Sequence, residues 1–172
     1  MRIKSFRGLV PGDGRTERVA AVPYDVVDIN EAKGLAAGNP DSLLNVSRAE
    51  IGLPNDTNPY ADEVYFRAKQ NFDGLLQRGA LVRESQPCMY LYRQTMGKHS
   101  QVGLVAVAHV DDYENGVILK HENTRPVKED DRTRIASLLS AHLGPVFLTY
   151  RGQKGIDSEV AAIIGHLLPD TR

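Results

Sequence analysis

Apolar positions change their period several times along the chain, and the changes place the elements. The stretch from Phe6 to Arg18 is rich in glycine and charge (Pro11-Gly12-Asp13-Gly14) and reads as loop. Val19-Ala20-Ala21-Val22-Pro23 is a short apolar run closed by proline, which predicts a strand ending at Tyr24-Asp25. Asp28 stands where a cap belongs, ahead of a short helix over Asn30 to Ala37. Gly38 and Pro40 stop that helix. Ser42 to Val46 predicts a second short strand, and Arg48 to Pro59 a polar loop. Asn58-Pro59 then supplies a cap and a first-turn proline. Behind it Ala61, Val64, Ala68, Phe72, Leu75 and Leu76 recur at helical spacing, with Gly79 closing the helix.

The second half opens in a β-type pattern. Cys88 to Thr95 alternates in polarity, Val102 to Val110 is nearly all apolar, and Met96-Gly97-Lys98-His99 between them predicts a hairpin loop. Asp111 to Gly116 is a turn, with Asn115-Gly116 the strongest local signal, and Val117 to Leu119 a short strand. Ile135, Leu138, Leu139 and then His142 or Leu143 return to helical spacing until Gly144-Pro145. Val146 to Tyr150 predicts a strand. Asp157 or Ser158 predicts the cap of a last helix through Ile163, Ile164, Leu167 and Leu168. Strands this close together do not make a regular βαβ array, so the fold class is α+β, a small mixed sheet with flanking helices in one domain over residues 1–172.

Composition narrows the function classes. The 172 residues are 41% hydrophobic and 25% charged, enough to bury a core and too ordered a mixture for a disordered polymer. Lys and Arg number 21 against 22 Asp and Glu, which argues against nucleic-acid binding through the whole surface but leaves room for a local basic pocket. One cysteine, Cys88, excludes an internal disulfide and a cysteine-rich zinc cluster. No apolar run approaches the roughly 20 residues of a membrane span, and no signal-peptide core follows the basic N-terminus. The expectation is a soluble cytoplasmic protein without a membrane partner.

Chemistry concentrates between Lys120 and Arg132. That stretch carries four cations (Lys120, Arg125, Lys128, Arg132), His121 and four carboxylates. Pro126 pushes Arg125 into extended geometry, so a loop bearing His121, Thr124 and Arg125 feeds a helix that begins just behind it. Guanidinium forks, a hydroxyl and unpaired helix N–H groups together suit a phosphate. The plainer alternative is an ion-paired surface loop, with Lys128 on Asp131 or Arg132 on Glu129. Asp25, at a strand end after Pro23-Tyr24, could accept a hydroxyl proton or hold Mg²⁺. It could equally be a turn residue after a buried tyrosine. Glu31 and Ser42 are weaker neighbours of the same kind.

Other motifs are missing. No Gly-x-x-x-x-Gly-Lys-Ser/Thr loop, Gly-x-Gly-x-x-Gly turn or Gly-x-Ser-x-Gly elbow occurs. His99, His109, His142 and His166 lack metal-ligand spacing, and Cys88 in a strand pattern reads as inert.

Val22-Pro23-Tyr24-Asp25-Val26-Val27, Asn39-Pro40 with Ser42-Leu43-Leu44-Asn45-Val46, Tyr92-Arg93-Gln94-Thr95, Gly144-Pro145-Val146-Phe147 and the whole of Gly116 to Arg132 form a set. This set resembles the family catalogued as domain of unknown function 1015, with His121-Glu122-Asn123-Thr124-Arg125-Pro126 as its most specific part. The family is related to the ParB/sulfiredoxin-like fold, and some members are similar to pyrophosphate-dependent kinases of free L-serine. Its members are usually considerably longer, so the resemblance implies an N-terminal half of a larger architecture.

What the resemblance implies is a phosphotransferase that moves a phosphoryl group from pyrophosphate, or a nucleotide, to the hydroxyl of L-serine, giving O-phosphoserine. His121, Thr124, Arg125, Lys128 and Arg132 would hold phosphate, with Mg²⁺ bridging the donor phosphates. Glu122 or Asp25 would be the base, and Tyr24 and Ser42 would meet the substrate. Two alternatives stand beside it: a non-catalytic nucleotide- or phosphate-sensing ParB-like module, and an inactive chain that needs a partner. Homo-oligomerisation stays open.

Overall fold

The computed structural model describes residues 1–121 and 123–166. It is an α+β protein that divides into two compact units, and each is described by itself.

One unit is helical and holds the main core. It runs from Leu9 to Val82 and resumes, among the described residues, over 123–144. Short helices α1 (Thr16–Val19), α2 (Ile29–Ala36) and α3 (Leu44–Ser47) lead through a 3-10 turn (Ala49–Gly52) to the long α4 (Asp62–Gln77). The last helix of this unit is Pro126–Leu139, which becomes α6 in chain order. On α4 the buried side chains are Val64, Tyr65, Ala68, Phe72 and Leu75, the spacing of a single helical face. Ile135 and Leu139 of α6 join that face, as do Val19, Val46, Ala49, Ala80 and Leu81. Asp28 caps α2 through its side chain, which accepts from the amides of Asn30 and Glu31. Glu31 returns the favour to the Asp28 amide at 2.9 Å, completing a capping box. A short ladder, β2 (Leu9–Pro11) with β3 (Leu81–Arg83), closes the chain around the end of α4.

The other unit combines strand pairs with two helices. It gathers Met1–Gly8, Arg83–His121 and the described chain from Pro145 onward. Tyr90–Met96 (β4) and His99–Val105 (β5) form an antiparallel hairpin in register from Tyr90 opposite Val105 to Met96 opposite His99. Gly97 turns it with a φ of 59°, where a side chain would be strained. Ile3–Lys4 (β1) pairs with Val107–Ala108 (β6), and Phe6 bridges Cys88. Helix α5 (Val110–Glu114) follows β6, and Lys154–His166 forms α7. The Arg2 amide donates to the buried carboxylate of Asp112 at 2.5 Å, and the Arg2 guanidinium adds two more bonds to it. Those bonds, the amide foremost, hold the Asp112 carboxyl below the ordinary aspartate range.

Several sequence-based expectations are corrected here. Val19 is not in a strand; Arg15 to Val19 turns as helix and delivers Val19, 3% exposed, to the core. Of the strand expected over Ser42 to Val46, Leu44 to Val46 belong to α3, and the Ser42 hydroxyl just ahead of it accepts from the Leu44 amide at 3.3 Å. The loop expected over Phe6 to Arg18 contains β2 and α1. The turn expected at Asp111 belongs to α5, and Asn115-Gly116 ends it. Val117 to Leu119 forms no ladder. Val146 to Tyr150, β-like in composition, is irregular and exposed among the described residues, because a strand needs a partner that composition cannot supply. Leu167 and Leu168 lie outside the described residues.

Candidate functional site

The helical unit contains a cavity of about 150 Å³ between the C-terminal side of α3 with the following 3-10 turn, the entry to α4, and α6. Its apolar floor is Val46, Ala49, Val64 and Ile135; its walls are charged and aromatic.

Helix α6 supplies one wall. Proline at its first position suits the N-terminus, since the missing N–H would have no intrahelical partner. Lys128, Asp131, Arg132 and Ile135 follow at intervals of three and four, so they share one face, and all four line the cavity. Asp131 is buried at 7% exposure. Its Oδ1 accepts from the Tyr65 hydroxyl at 2.8 Å and its Oδ2 from Arg132 Nη2 at 2.6 Å and Nε at 3.0 Å. The carboxylate is thereby fully engaged and locks its neighbour's guanidinium. Burial, and then the bond to Asp131, push the Tyr65 phenol up to about 12. Tyr65 therefore stays a neutral donor at any ordinary pH.

Arg132 also lies over the Tyr24 ring, 4.2 Å from its centroid, and Lys128 lies 5.7 Å from the centroid of Tyr60. Facing them is Arg48, whose Nη1 donates to the Tyr24 carbonyl at 3.1 Å. Its Nε sits 2.9 Å from Glu50 Oε1 but is not aligned with it, so this buried N–H has no hydrogen-bond partner among the described residues. An unsatisfied buried donor costs about 1–3 kcal/mol. The walls thus hold three cations (Arg48, Lys128, Arg132) and two carboxylates (Glu50, Asp131), each carboxylate already paired with an arginine.

The residues expected from sequence separate into three groups. Tyr24, Lys128 and Arg132 come together on this cavity. Thr124 and Arg125 stand just ahead of it along the chain: the Thr124 hydroxyl donates to Glu129 Oε2 at 2.8 Å, and Arg125 is the exposed cap residue of α6. Asp25 is exposed in the turn after Tyr24, Ser42 is buried in the start of α3, and neither lines the cavity. His121 belongs to the other unit, and Glu122 lies outside the described residues. The simple ion pairs expected for this stretch are replaced: Arg132 meets Asp131, and Glu129 receives Thr124.

Arg48, Glu50, Asp131, Tyr60 and Tyr65 were not legible as site residues. A signal existed for the first two, a charged pair set among buried Val46 and Ala49, but it reads as polar loop by composition. Among the described residues no group of three or more His, Cys, Asp or Glu is placed to hold a metal ion, and no helix is long and apolar enough to cross a membrane.

Comparison with known families places the chain. The family described as "Protein of unknown function (DUF1015)" matches residues 3–171, and the protein belongs to that family. No curated protein and no solved structure matches it.

Proposed function

We propose that this cavity is a phosphoryl-transfer site and that its reaction is the phosphorylation of free L-serine by pyrophosphate. The observation that carries the reading is the convergence of Arg48, Lys128 and Arg132 on one small cavity. Phosphoryl transfer asks chiefly for positive charge around the moving and leaving phosphates, held in place beforehand. Here Asp131 and Tyr24 hold Arg132, and the Tyr24 carbonyl holds Arg48. A cavity of about 150 Å³ favours a compact donor over a nucleotide, because pockets for drug-sized ligands run to about 300–1,000 Å³.

In the proposed step the serine hydroxyl oxygen bonds to one phosphorus, the bridging P–O bond of pyrophosphate breaks, and orthophosphate leaves. The hydroxyl proton passes to Glu50, the carboxylate lining the cavity opposite α6. Arg48, Lys128 and Arg132 balance the charge on both phosphates; Thr124 and Arg125 extend the basic approach. The described residues make no dedicated Mg²⁺ cage. Mg²⁺ enters this reading as the counter-ion of pyrophosphate, part of the substrate.

The test is direct. Folded protein is incubated with L-serine, Mg²⁺ and, separately, pyrophosphate, ADP or ATP, and O-phosphoserine is measured by mass spectrometry. Product with pyrophosphate is expected. No product with any donor overturns the reading.

A further inference from the structure

A second concavity in the same helical unit is built from arginine. It is open, about 610 Å³, and lined by Gly14, Arg15, Arg18, Pro40, Asp41 and Arg78. None of these residues lines the cavity described above.

Asp41 is at the centre and only 3% exposed. Arg15 Nη1 and Arg18 Nε approach its Oδ2 at 3.0 Å and 3.4 Å, and Arg78 Nε approaches Oδ1 at 3.1 Å. Arg78 Nη2 also donates to the Pro40 carbonyl at 3.0 Å. One carboxylate thus gathers three guanidiniums and leaves two positive charges in excess. The acids Asp13 and Glu17 stand on the same stretch of chain but do not line the concavity. A single arginine would satisfy Asp41, and like charges brought this close repel.

The manner of attachment matters as much as the count. Arg18 uses Nε inward, so its Nη edge, the half of the fork that grips an oxyanion, has no protein partner among the described residues. Arg15 meets Asp41 through one Nη only. All three side chains remain part-exposed, at 38%, 57% and 43%. Arg78 packs over Gly74 in the interior of α4, where a Cβ would lie 2.7 Å from Arg78 Nη1. This glycine leaves room for the Arg78 head group. Guanidiniums held in place before a ligand arrives lose little side-chain freedom on binding.

We propose that Arg15, Arg18 and Arg78, organised around Asp41, form a binding site for a dianionic phosphate group, separate from the phosphoryl-transfer cavity. The ligand is inorganic phosphate or the phosphate head of a small ester; the concavity is open enough for either.

The test is titration of ¹⁵N-labelled full chain with sodium phosphate and with glycerol phosphate at pH 8, against sodium chloride of equal ionic strength. Saturable shifts of the Gly14 amide and the Arg18 Nε–H are expected with at least one phosphate and not with chloride. The ligand giving the tighter titration identifies the source. Arg18→Gln and Arg78→Gln should each weaken binding roughly tenfold, the loss of one charge-assisted contact. Arg132→Gln should leave these shifts within a factor of two, which separates this site from the proposed catalytic one. Shifts that never saturate, that chloride reproduces, or that Arg132→Gln abolishes overturn the proposal. Should Arg78→Gln fail to fold, Arg18→Gln, at the most exposed of the three, decides alone.

Discussion

The Tyr65 hydroxyl donates to Asp131 Oδ1 at 2.8 Å, and this bond ties α4 to α6 beneath the charged cavity. Tyr65 is 4% exposed and Asp131 7%. The bond is therefore a buried contact between a neutral donor and a charged acceptor, stronger than an exposed one. Because Asp131 in turn holds Arg132, the bond sets where a cavity guanidinium sits.

The Tyr65 phenol should ionise near pH 12, well above the tyrosine reference of 10. Its ionisation is raised in the folded protein, so the stability it contributes is complete below pH 10 and is lost as pH climbs through 12. Alkaline titration of tyrosinate absorbance in wild type minus Tyr65→Phe should show a late component near pH 12. A difference curve centred near pH 10 contradicts the burial and the bond. At neutral pH, Tyr65→Phe should cost about 1–3 kcal/mol in denaturant unfolding, since Asp131 keeps Arg132 but loses a donor.

Arg132→Ala should lower the proposed serine phosphorylation at least about 100-fold, within the range known for removal of one preorganised charge-stabilising donor. Arg132→Lys should recover little of it, because a lysine cannot both fork onto Asp131 and stack on Tyr24. Steady-state kinetics with pyrophosphate, alongside circular dichroism to confirm folding, checks both. Wild-type rates in Arg132→Ala would remove this residue from the site.

Glu50→Gln should separate chemistry from binding. The amide keeps the shape beside Arg48 but cannot take the hydroxyl proton, so turnover should fall about 10²–10⁴-fold. Pyrophosphate affinity by calorimetry should hold or rise, because a negative charge has left the cavity. A variant that turns over normally returns the base to another carboxylate.

Phe72→Ala should be the most destabilising of these changes. Phe72 is 4% exposed in the centre of α4 and belongs to the main core, so truncation should cost about 3–5 kcal/mol. Urea unfolding measures it directly. A loss under about 1 kcal/mol would mean that the α4 face is packed far more loosely than its burial indicates.

Much of the scaffold was legible in one dimension. The α4 face, the Asp28 cap and the hairpin around Gly97 each follow from signals within a few residues, because their stabilising contacts are local. The short segments failed for the opposite reason. Val19 to Pro23 and Ser42 to Val46 have strand composition, yet each is too short for composition to outweigh its surroundings: Val19 ends a helical turn and packs in the core while Ala20 to Pro23 run irregular and exposed, and Leu44 to Val46 enter a short helix. A smaller part of the candidate site, Tyr24, Lys128 and Arg132, was visible as well. Lys128 and Arg132 stand four residues apart on α6, and Tyr24 follows a proline, so local reading reached them.

The order of residues by itself determined the family, the long amphipathic helix and the concentration of cations before Arg132. Tertiary structure alone decided that Arg48 and Glu50, some eighty positions upstream of α6, face its charged stripe, and that Asp41 collects Arg15, Arg18 and Arg78. Ion pairs and cavity walls join positions far apart in the chain. No periodicity encodes such pairings; they exist only once burial of the α4 face has brought the elements together.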